Sequence, residues 1–159
     1  MEFLNELLHN PILLTSAGSW AIAQIIKTII DFGLTGKLTP ERLVGSGGMP
    51  SCHSATVCSL ATITLLIHGA ASTEFAITAM LAIIVMYDAR GVRRETGTQA
   101  VIINEIMEYL SHPNDDKYKH PEFSQQKLKE LIGHTPLQVA CGGLLGVLCA
   151  CFAYYVIIL

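Results

Sequence analysis

A chain of 159 residues is long enough for one domain, and its composition separates it from ordinary soluble proteins. Hydrophobic residues make up 51% of it and charged residues only 14%, against about 25% charged residues in typical soluble domains. The mean hydropathy of +0.46 points the same way. We therefore expect an all-α, polytopic membrane protein whose residues 1–159 form one integral membrane domain in the lipid bilayer, with no nucleic-acid partner.

The N-terminal part predicts a short lead-in followed by a membrane helix. Residues 1–11 are amphipathic and end at Asn10-Pro11, where proline suits the first turn of a helix. The apolar run from Ile12 to Leu34 is long enough to span about 30 Å of hydrocarbon.

Three polar residues interrupt this run at spacings of three and four, so they share one helix face: Gln24, Lys27 and Asp31. Ionisable residues at membrane depth usually face a bundle interior or a wet cavity. The alternative is that Lys27 extends toward the interface or pairs with Asp31. The sequence leaves both interpretations open.

Later apolar runs complete a prediction of about four transmembrane helices. These runs cover residues 52–72, 73–87 and 137–159, and a tight connection at His68–Ser72 separates the first two. Residues 101–110 and 124–132 have the composition of short helices at the cytoplasmic face. The predicted fold is a helical membrane bundle.

Small residues and cysteines lie inside the apolar runs. Gly142 and Gly146 form a small-xxx-small pair, which favours internal packing over a dimer seam and leaves a homodimer as an open alternative. The five cysteines occur without a CxxC pair, so we expect reduced thiols rather than disulfides or a zinc site.

The basic residues predict the topology. Apart from Lys27 they all lie in two connecting segments, as Lys37, Arg42, Arg90, Arg93, Arg94, Lys117, Lys119, Lys127 and Lys129. The positive-inside rule places both segments in the cytoplasm and both termini outside. We expect a bacterial cytoplasmic membrane, with the loop before His53, the arginine cluster and His134 together on its cytoplasmic face.

The stretch Gly45–Ala55 reads Gly-Ser-Gly-Gly-Met-Pro-Ser-Cys-His-Ser-Ala and stands directly before an apolar run. Glycines such as Gly47 and Gly48 let backbone N–H groups turn toward an anion, and Ser51 can donate a hydrogen bond to a phosphate oxygen. His53 can give or take a proton near neutral pH. We therefore predict a phosphate-handling loop at the mouth of a membrane helix.

Cleavage of a phosphate ester needs cations, a nucleophile and an acid. The cations that can hold the phosphate are Lys27, Arg42, Arg93 and Arg94. One histidine can attack phosphorus while another protonates the leaving oxygen, and His53 and His134 both stand at helix mouths. Asp88 or Glu95 can fix a histidine tautomer. The other interpretations are that the arginines only anchor the helix end to anionic lipid, that His134 only starts a helix, and that His53 only bonds a loop carbonyl.

Together these motifs resemble the divergent PAP2 family, which is described as related to acid phosphatases and vanadium-dependent haloperoxidases. The residues that carry the resemblance are Ala23-Gln24, Lys27, Gly47–Ala55, Asp88–Arg94 and Gly97–Ala100. The resemblance covers nearly the whole chain. It implies a helical bundle and a mechanism that needs no metal and no cofactor.

The resemblance also implies roles for the two histidines. Ordinary PAP2 enzymes carry a Pro-Ser-Gly-His motif, and Pro50–His53 is similar to it with cysteine in place of glycine, so that His53 takes the position of the general acid. Their nucleophilic histidine is followed four residues later by aspartate. His134 is similar to that histidine, whereas Gln138 stands at the position of the aspartate.

Other parts of the PAP2 pattern are not intact. The Ser-Arg pair expected upstream of the nucleophile is absent, and the first motif is represented only by Lys27 and Arg42. Within the resemblance, the pair Arg93-Arg94 replaces the phosphate clamp, and Asp88 or Glu95 replaces the missing carboxylate.

The sequence predicts a membrane phosphatase that hydrolyses a phosphomonoester or pyrophosphate of a phosphatidate-type or polyprenyl lipid through a phospho-histidine. The alternative is a non-catalytic phospholipid-binding or lipid-transport protein that keeps only the phosphate site, which the glutamine at position 138 favours. A metal-dependent enzyme built on Asp88 and Glu95 is the weakest hypothesis, because two carboxylates are a small ligand set.

Overall fold

The computed structural model describes residues 1–36, 48–110 and 134–158, and no strand occurs among them. The helices are α1 (Glu2–Leu8), α2 (Pro11–Thr35), α3 (Cys52–His68), α4 (Thr73–Arg90), α5 (Val92–Leu110) and α6 (Pro136–Phe152), which continues as a π-helix over Ala153–Ile158. The prediction of an all-α bundle is confirmed. Arg42, Gly47 and the predicted helix at 124–132 lie outside the described residues.

Helix α2 begins where the sequence predicts. The Asn10 side chain accepts hydrogen bonds from the backbone N–H groups of Ile12 and Leu13 at 3.0 and 3.1 Å, and Pro11 occupies the first helical position. The helix ends at Gly36, which adopts a φ of 67°.

Three stretches are long and apolar enough to cross a membrane: Pro11–Thr35, Thr73–Asn104 and Pro136–Ile157. Helix α3 is shorter, with 17 residues, which is about 25 Å at 1.5 Å per residue. The predicted run 52–72 is too long, because Gly69, with a φ of 83°, ends the helix after His68.

Helix α5 starts earlier than the sequence predicts. Only Gly91 separates it from α4, so residues that we expected before the helix belong to its first two turns. Gly97 and Ala100 are buried, whereas Ile102, Ile103 and Ile106 are exposed. Packing of this small-residue face therefore overrides the weak helix propensity of glycine and threonine in the segment.

Helix α3 is the centre of the bundle and contacts α2, α4 and α6. Ser19 Oγ donates to the Ala55 carbonyl oxygen at 3.2 Å, and Ser59 Oγ donates to the Thr15 carbonyl oxygen at 3.5 Å. Residue numbers fall along α2 as they rise along α3, so the two helices are antiparallel.

Helix α6 packs against the same central helix in the parallel direction. A Cβ atom on Gly142 would overlap the Ser51 carbonyl oxygen, and one on Gly146 would overlap the Ala55 carbonyl oxygen and lie 2.9 Å from the Ser59 backbone nitrogen. Both glycines therefore serve internal packing, as predicted, because only a hydrogen allows the two backbones to approach this closely.

Small and hydroxyl-bearing side chains fill the interior of the bundle, and large apolar side chains cover its outside. Fully or nearly fully buried residues include Ser19, Ala23, Ser51, Ser54, Ala55, Ser59, Thr64 and Ala150. Exposed residues include Leu14, Ile25, Ile29, Ile77, Ile83, Ile84, Leu144 and Leu148. This distribution is the reverse of a soluble protein, and it suits helices whose outer surface faces lipid.

The directions of the helices bring four of their ends together. The C-terminal part of α2 and the N-terminus of α3 meet, because Lys27 contacts Gly48 just before α3. The N-terminus of α6 lies beside the N-terminus of α3, since the Ser51 N–H donates to the Gln138 carbonyl oxygen at 3.1 Å. Helix α4 is joined to α3 by the Cys58 thiol and the Met86 sulfur, 3.6 Å apart, in the half of α4 that ends at this same side.

Candidate functional site

The candidate site begins at the turn before α3, where the predicted phosphate-handling motif ends. Gly48 has a φ of 84°, a conformation that glycine adopts without strain. Ser51 is the N-cap of α3 and accepts hydrogen bonds from the Ser54 N–H at 3.3 Å and the Ser54 hydroxyl at 3.1 Å. Both lone pairs of the Ser51 oxygen are therefore used, and its own proton is what it can offer a phosphate.

Lys27 lies inside the bundle next to this turn. It is 2% exposed, and a Cβ built on Gly48 would lie 2.9 Å from its Cδ atom. Asp31, one turn further along α2, is partly exposed. The interior interpretation of the polar face is confirmed for Lys27, because the turn before α3 covers the aliphatic part of its side chain.

The two predicted histidines meet at this end of the bundle. The ring centroids of His53 and His134 are 6.2 Å apart, with an interplanar angle of 60°. His134 is 4% exposed, and His53 is partly exposed. The prediction that these distant parts of the sequence share one face is confirmed, although 81 positions separate the two residues (134 − 53).

Gln138 holds the ring of His134. Its Oε1 atom accepts the backbone N–H of Thr135 at 3.0 Å and lies 3.3 Å from Nδ1 of His134. Since Thr135 N–H can only donate, the amide end facing it is the oxygen, so Nδ1 of His134 carries a proton. In the neutral ring the lone pair is then on Nε2.

The same glutamine also starts helix α6. The Thr135 side chain accepts from the Gln138 N–H at 3.3 Å, which completes a reciprocal capping box. The residue that replaces the expected aspartate therefore caps the helix and orients the histidine at once.

Cys52 accompanies the second histidine. Its buried Sγ atom lies 3.9 Å from Nδ1 of His53. This is the position at which the resemblance to ordinary PAP2 enzymes expects glycine, so the chain has a thiol where those enzymes have no side chain.

The structure positions the other predicted residues less fully. Asp88 is partly buried near the C-terminus of α4, and Glu95 is exposed on α5. Arg93 and Arg94 lie in the first turn of α5, at the end of α4, and their side chains are outside the described residues. Among the described residues, no cluster of three histidine, cysteine, aspartate or glutamate side chains is placed to hold a metal.

Two residues were missed as site residues by sequence reasoning. From the resemblance, Gln138 is only a departure from aspartate, whereas the spacing in Thr135-Pro136-Leu137-Gln138 is that of a capping box and is a signal for its role at the start of α6. Gln24 was noted only on the polar face of α2, and in the structure it is buried beside Lys27.

Comparison with known proteins shows the family to which this chain belongs. A family model described as "Divergent PAP2 family" matches residues 8–149. This chain belongs to the divergent PAP2 family. It is 43% identical over 147 residues to the "Uncharacterized membrane protein YuiD" of Bacillus subtilis strain 168, an alignment that covers 90% of this chain and 93% of that protein. No solved structure matches the chain significantly.

The match places both histidines of this divergent PAP2 protein within the family region. That region begins at Leu8 and ends at Cys149, so it includes helices α2 to α5 and most of α6. Together with the apolar outer surface, the family membership establishes a membrane protein related to PAP2.

Proposed function

We propose that this protein is a membrane lipid-phosphate phosphatase that uses His134 as nucleophile and His53 as general acid. The observation that carries the proposal is the proximity of the two histidine rings, whose centroids are 6.2 Å apart, together with the hydrogen bond between Nδ1 of His134 and Gln138. That hydrogen bond places the proton of the neutral ring on Nδ1, and Nε2 is the atom that attacks phosphorus in this proposal. The substrate is a phosphomonoester or pyrophosphate of a phosphatidate-type or polyprenyl lipid.

In the first step, Nε2 of His134 attacks phosphorus, and the bond between phosphorus and the leaving oxygen breaks. His53 transfers its Nε2 proton to that oxygen, so a lipid alcohol leaves, or a lipid monophosphate when the substrate is a pyrophosphate. His53 acts as the imidazolium and becomes neutral in this step; the Cys52 sulfur, 3.9 Å from Nδ1, can accept the Nδ1–H of that imidazolium.

In the second step, a water molecule attacks the phosphorus of the phospho-histidine. His53 takes one proton from that water, the phosphorus–nitrogen bond breaks, and inorganic phosphate leaves. Lys27, the turn at Gly48 and the N-terminus of α3 support binding of the phosphate oxygens. Ser51, Arg42, Gly47, Arg93 and Arg94 are proposed as further phosphate ligands, and Asp88 as an acid that assists the histidines.

The site faces the cytoplasm of a bacterial cytoplasmic membrane in this proposal, and residues 1–159 act as one domain. The positive-inside distribution of lysine and arginine supports this orientation. A homodimer is a further proposal.

A second candidate function is favoured by one observation, the amide at position 138. An amide orients the ring of His134 without a charge to stabilise the imidazolium that forms during phosphoryl transfer. A protein that binds or moves phospholipids needs only the phosphate site. This candidate predicts saturable lipid-phosphate binding without release of phosphate.

Release of inorganic phosphate from a panel of lipid phosphates by the purified protein separates the two functions. We expect His134→Ala to abolish release and His53→Ala to reduce it about 100-fold or more, which is the usual range for a general acid. The matched control is His68→Ala, because His68 is exposed at the opposite end of α3. Undiminished release by His134→Ala would exclude it as nucleophile, and EDTA sensitivity of the wild type would favour a metal-dependent reaction instead.

A further inference from the structure

Gln24 carries a buried hydrogen-bond acceptor that the described part of the chain does not satisfy. The residue is 6% exposed, and its Oε1 atom has no hydrogen-bond partner among the described residues. An unpaired buried polar atom costs about 1–3 kcal/mol, and nearly all such atoms in folded proteins have a partner. The partner of this oxygen is therefore a donor that comes from outside the described residues.

The position of Gln24 places this acceptor at the candidate site. Ala23, its neighbour, belongs to the buried cluster with Cys52 and Ala55 at the start of α3. Lys27, three residues further along α2, contacts Gly48. Gln24 thus lies on α2 within about one helical turn, or 5.4 Å along the axis, of both residues that contact the turn and the start of α3.

We infer that Gln24 Oε1 accepts a hydrogen bond from a protonated phosphate oxygen and thereby selects phosphomonoesters over phosphodiesters. The inference rests on the proposed phosphate site. A phosphomonoester can carry a P–O–H group that donates, whereas a phosphodiester has only acceptor oxygens, which face the lone pairs of the amide oxygen unfavourably. Lys27 contributes charge for either ligand, so charge alone does not distinguish them.

The selection is measured with two lipids of equal charge and different donors. Phosphatidic acid at about pH 4.5, well below the second ionisation of a phosphate monoester at about pH 6, is mainly a monoanion that offers a P–O–H group. Phosphatidylmethanol, its methyl diester, has one negative charge and no such group. Binding of each lipid to the detergent-purified protein is titrated in a His134→Asn background, which prevents turnover during the measurement.

In that background we expect the monoester to bind about tenfold more tightly than the diester, the scale of one hydrogen bond. Gln24→Leu weakens monoester binding about tenfold and leaves diester binding unchanged. Gln99→Leu, which changes an exposed glutamine on α5, keeps the preference. A preference that survives Gln24→Leu, with or without a change in thermal stability, would mean that the amide binds water or serves only the packing, and would overturn the inference.

Two further outcomes also overturn it: equal weakening of both lipids by Gln24→Leu, and no binding of either lipid to the parent protein. Failure of the proposed phosphatase function is read separately, because it is the absence of phosphate release by the protein with His134 intact. Selective monoester binding that depends on Gln24 would support the inference even in that case.

Discussion

At the scale of single residues, Gln138 decides the properties of His134. One amide oxygen accepts a backbone N–H of the first helical turn and orients the imidazole ring, so helix start and candidate nucleophile are fixed by the same atom. A neutral acceptor sets the tautomer as a carboxylate does, but it adds no charge to stabilise the imidazolium. The proposed nucleophile therefore has its ring oriented, with less electrostatic support for the imidazolium than an aspartate would give.

Replacing Gln138 by glutamate tests this separation of geometry from charge. Glutamate suits the capping box equally well, so the fold is kept while the hydrogen bond to His134 becomes charge-assisted. We expect phosphate release to rise about tenfold, which corresponds to about 1.4 kcal/mol of transition-state stabilisation. The acid limb of the pH–rate profile moves to higher pH, because the stabilised imidazolium must lose its proton before it can attack phosphorus.

The control for that measurement is Gln99→Glu, which makes the same charge change at an exposed position. We expect Gln138→Leu to lose activity and about 1 kcal/mol of stability through the missing cap. A pH–rate profile that is identical for Gln138→Glu and the wild type would show that position 138 does not act on the reacting histidine.

At the scale of elements, the pairing of α3 with α6 holds the site together. Gly142 and Gly146 bring the two backbones close, and the Ser51 N–H donates across the helices to Gln138 at 3.1 Å. Both helices start at this contact, and His53 and His134 lie within three residues of Ser51 and within four of Gln138. The distance between the two rings therefore depends on glycines that carry no chemistry.

Alanine at these glycines should destabilise the bundle. The added Cβ atom meets backbone atoms of α3, which cannot move aside as a flexible side chain can, so we expect Gly142→Ala or Gly146→Ala to cost about 1–3 kcal/mol. Gly18→Ala is the matched control, because nothing lies within 4 Å of the added atom, and it should be neutral or stabilising by about 0.5–1 kcal/mol.

The difference in stability between these variants is measured by thermal unfolding in detergent, with aggregation as the signal for unfolding. A melting temperature for Gly146→Ala equal to that of Gly18→Ala would contradict the close approach of α3 and α6. If Gly142→Ala loses phosphate release at temperatures where it remains folded, the substitution acts by changing the relative position of His53 and His134.

The helices could be predicted from the sequence to a large extent, because lipid imposes long apolar runs on α2, α4 and α6. The start of α2 at Asn10-Pro11 and the internal use of Gly142 follow from local rules. The start of α5 does not, because its first turns are polar and become helical through burial of Gly97 and Ala100. A span rule also misjudges α3, which the other helices surround and which lipid therefore constrains less.

The sequence predicts the individual residues of the candidate site but not the contacts between them. His53, His134 and Lys27 were recognised from residue type and position. The contact of Lys27 with Gly48 depends on the way the helices meet. The hydrogen bond between His134 and Gln138 is local, and the capping-box spacing of Thr135 and Gln138 signals the cap but not the contact with the ring. Burial of Gln24 was equally invisible, since its neighbours come from other helices.

At the scale of the whole molecule, the orientation in the membrane determines which compartment reaches the site. The 69–72 turn lies at the opposite end of the bundle from His53. We propose that this turn is outside and the start of α5 inside. We expect Ala70→Cys to react with an impermeant maleimide on intact cells, and Glu95→Cys to react only after permeabilisation.

The wild type provides the background for this labelling, because its five cysteines are buried or partly buried. Both substituted positions are exposed. The reverse labelling pattern would invert the proposed topology and open the histidines to the outside of the cell.

In the proposed phosphate site, the position of Lys27 along α2 sets the depth at which the phosphate is held. Helix α2 continues from Lys27 to Thr35, which is about 12 Å at 1.5 Å per residue. The floor of the site is therefore recessed well below the tip of that helix, and a lipid can present its phosphate there while its chains stay among their neighbours. Occupancy of this site then depends on the mole fraction of the lipid in the bilayer and not on its amount per volume of solution. Dilution of the substrate with inert lipid should therefore slow the proposed release of phosphate, whereas dilution of the sample with buffer should not.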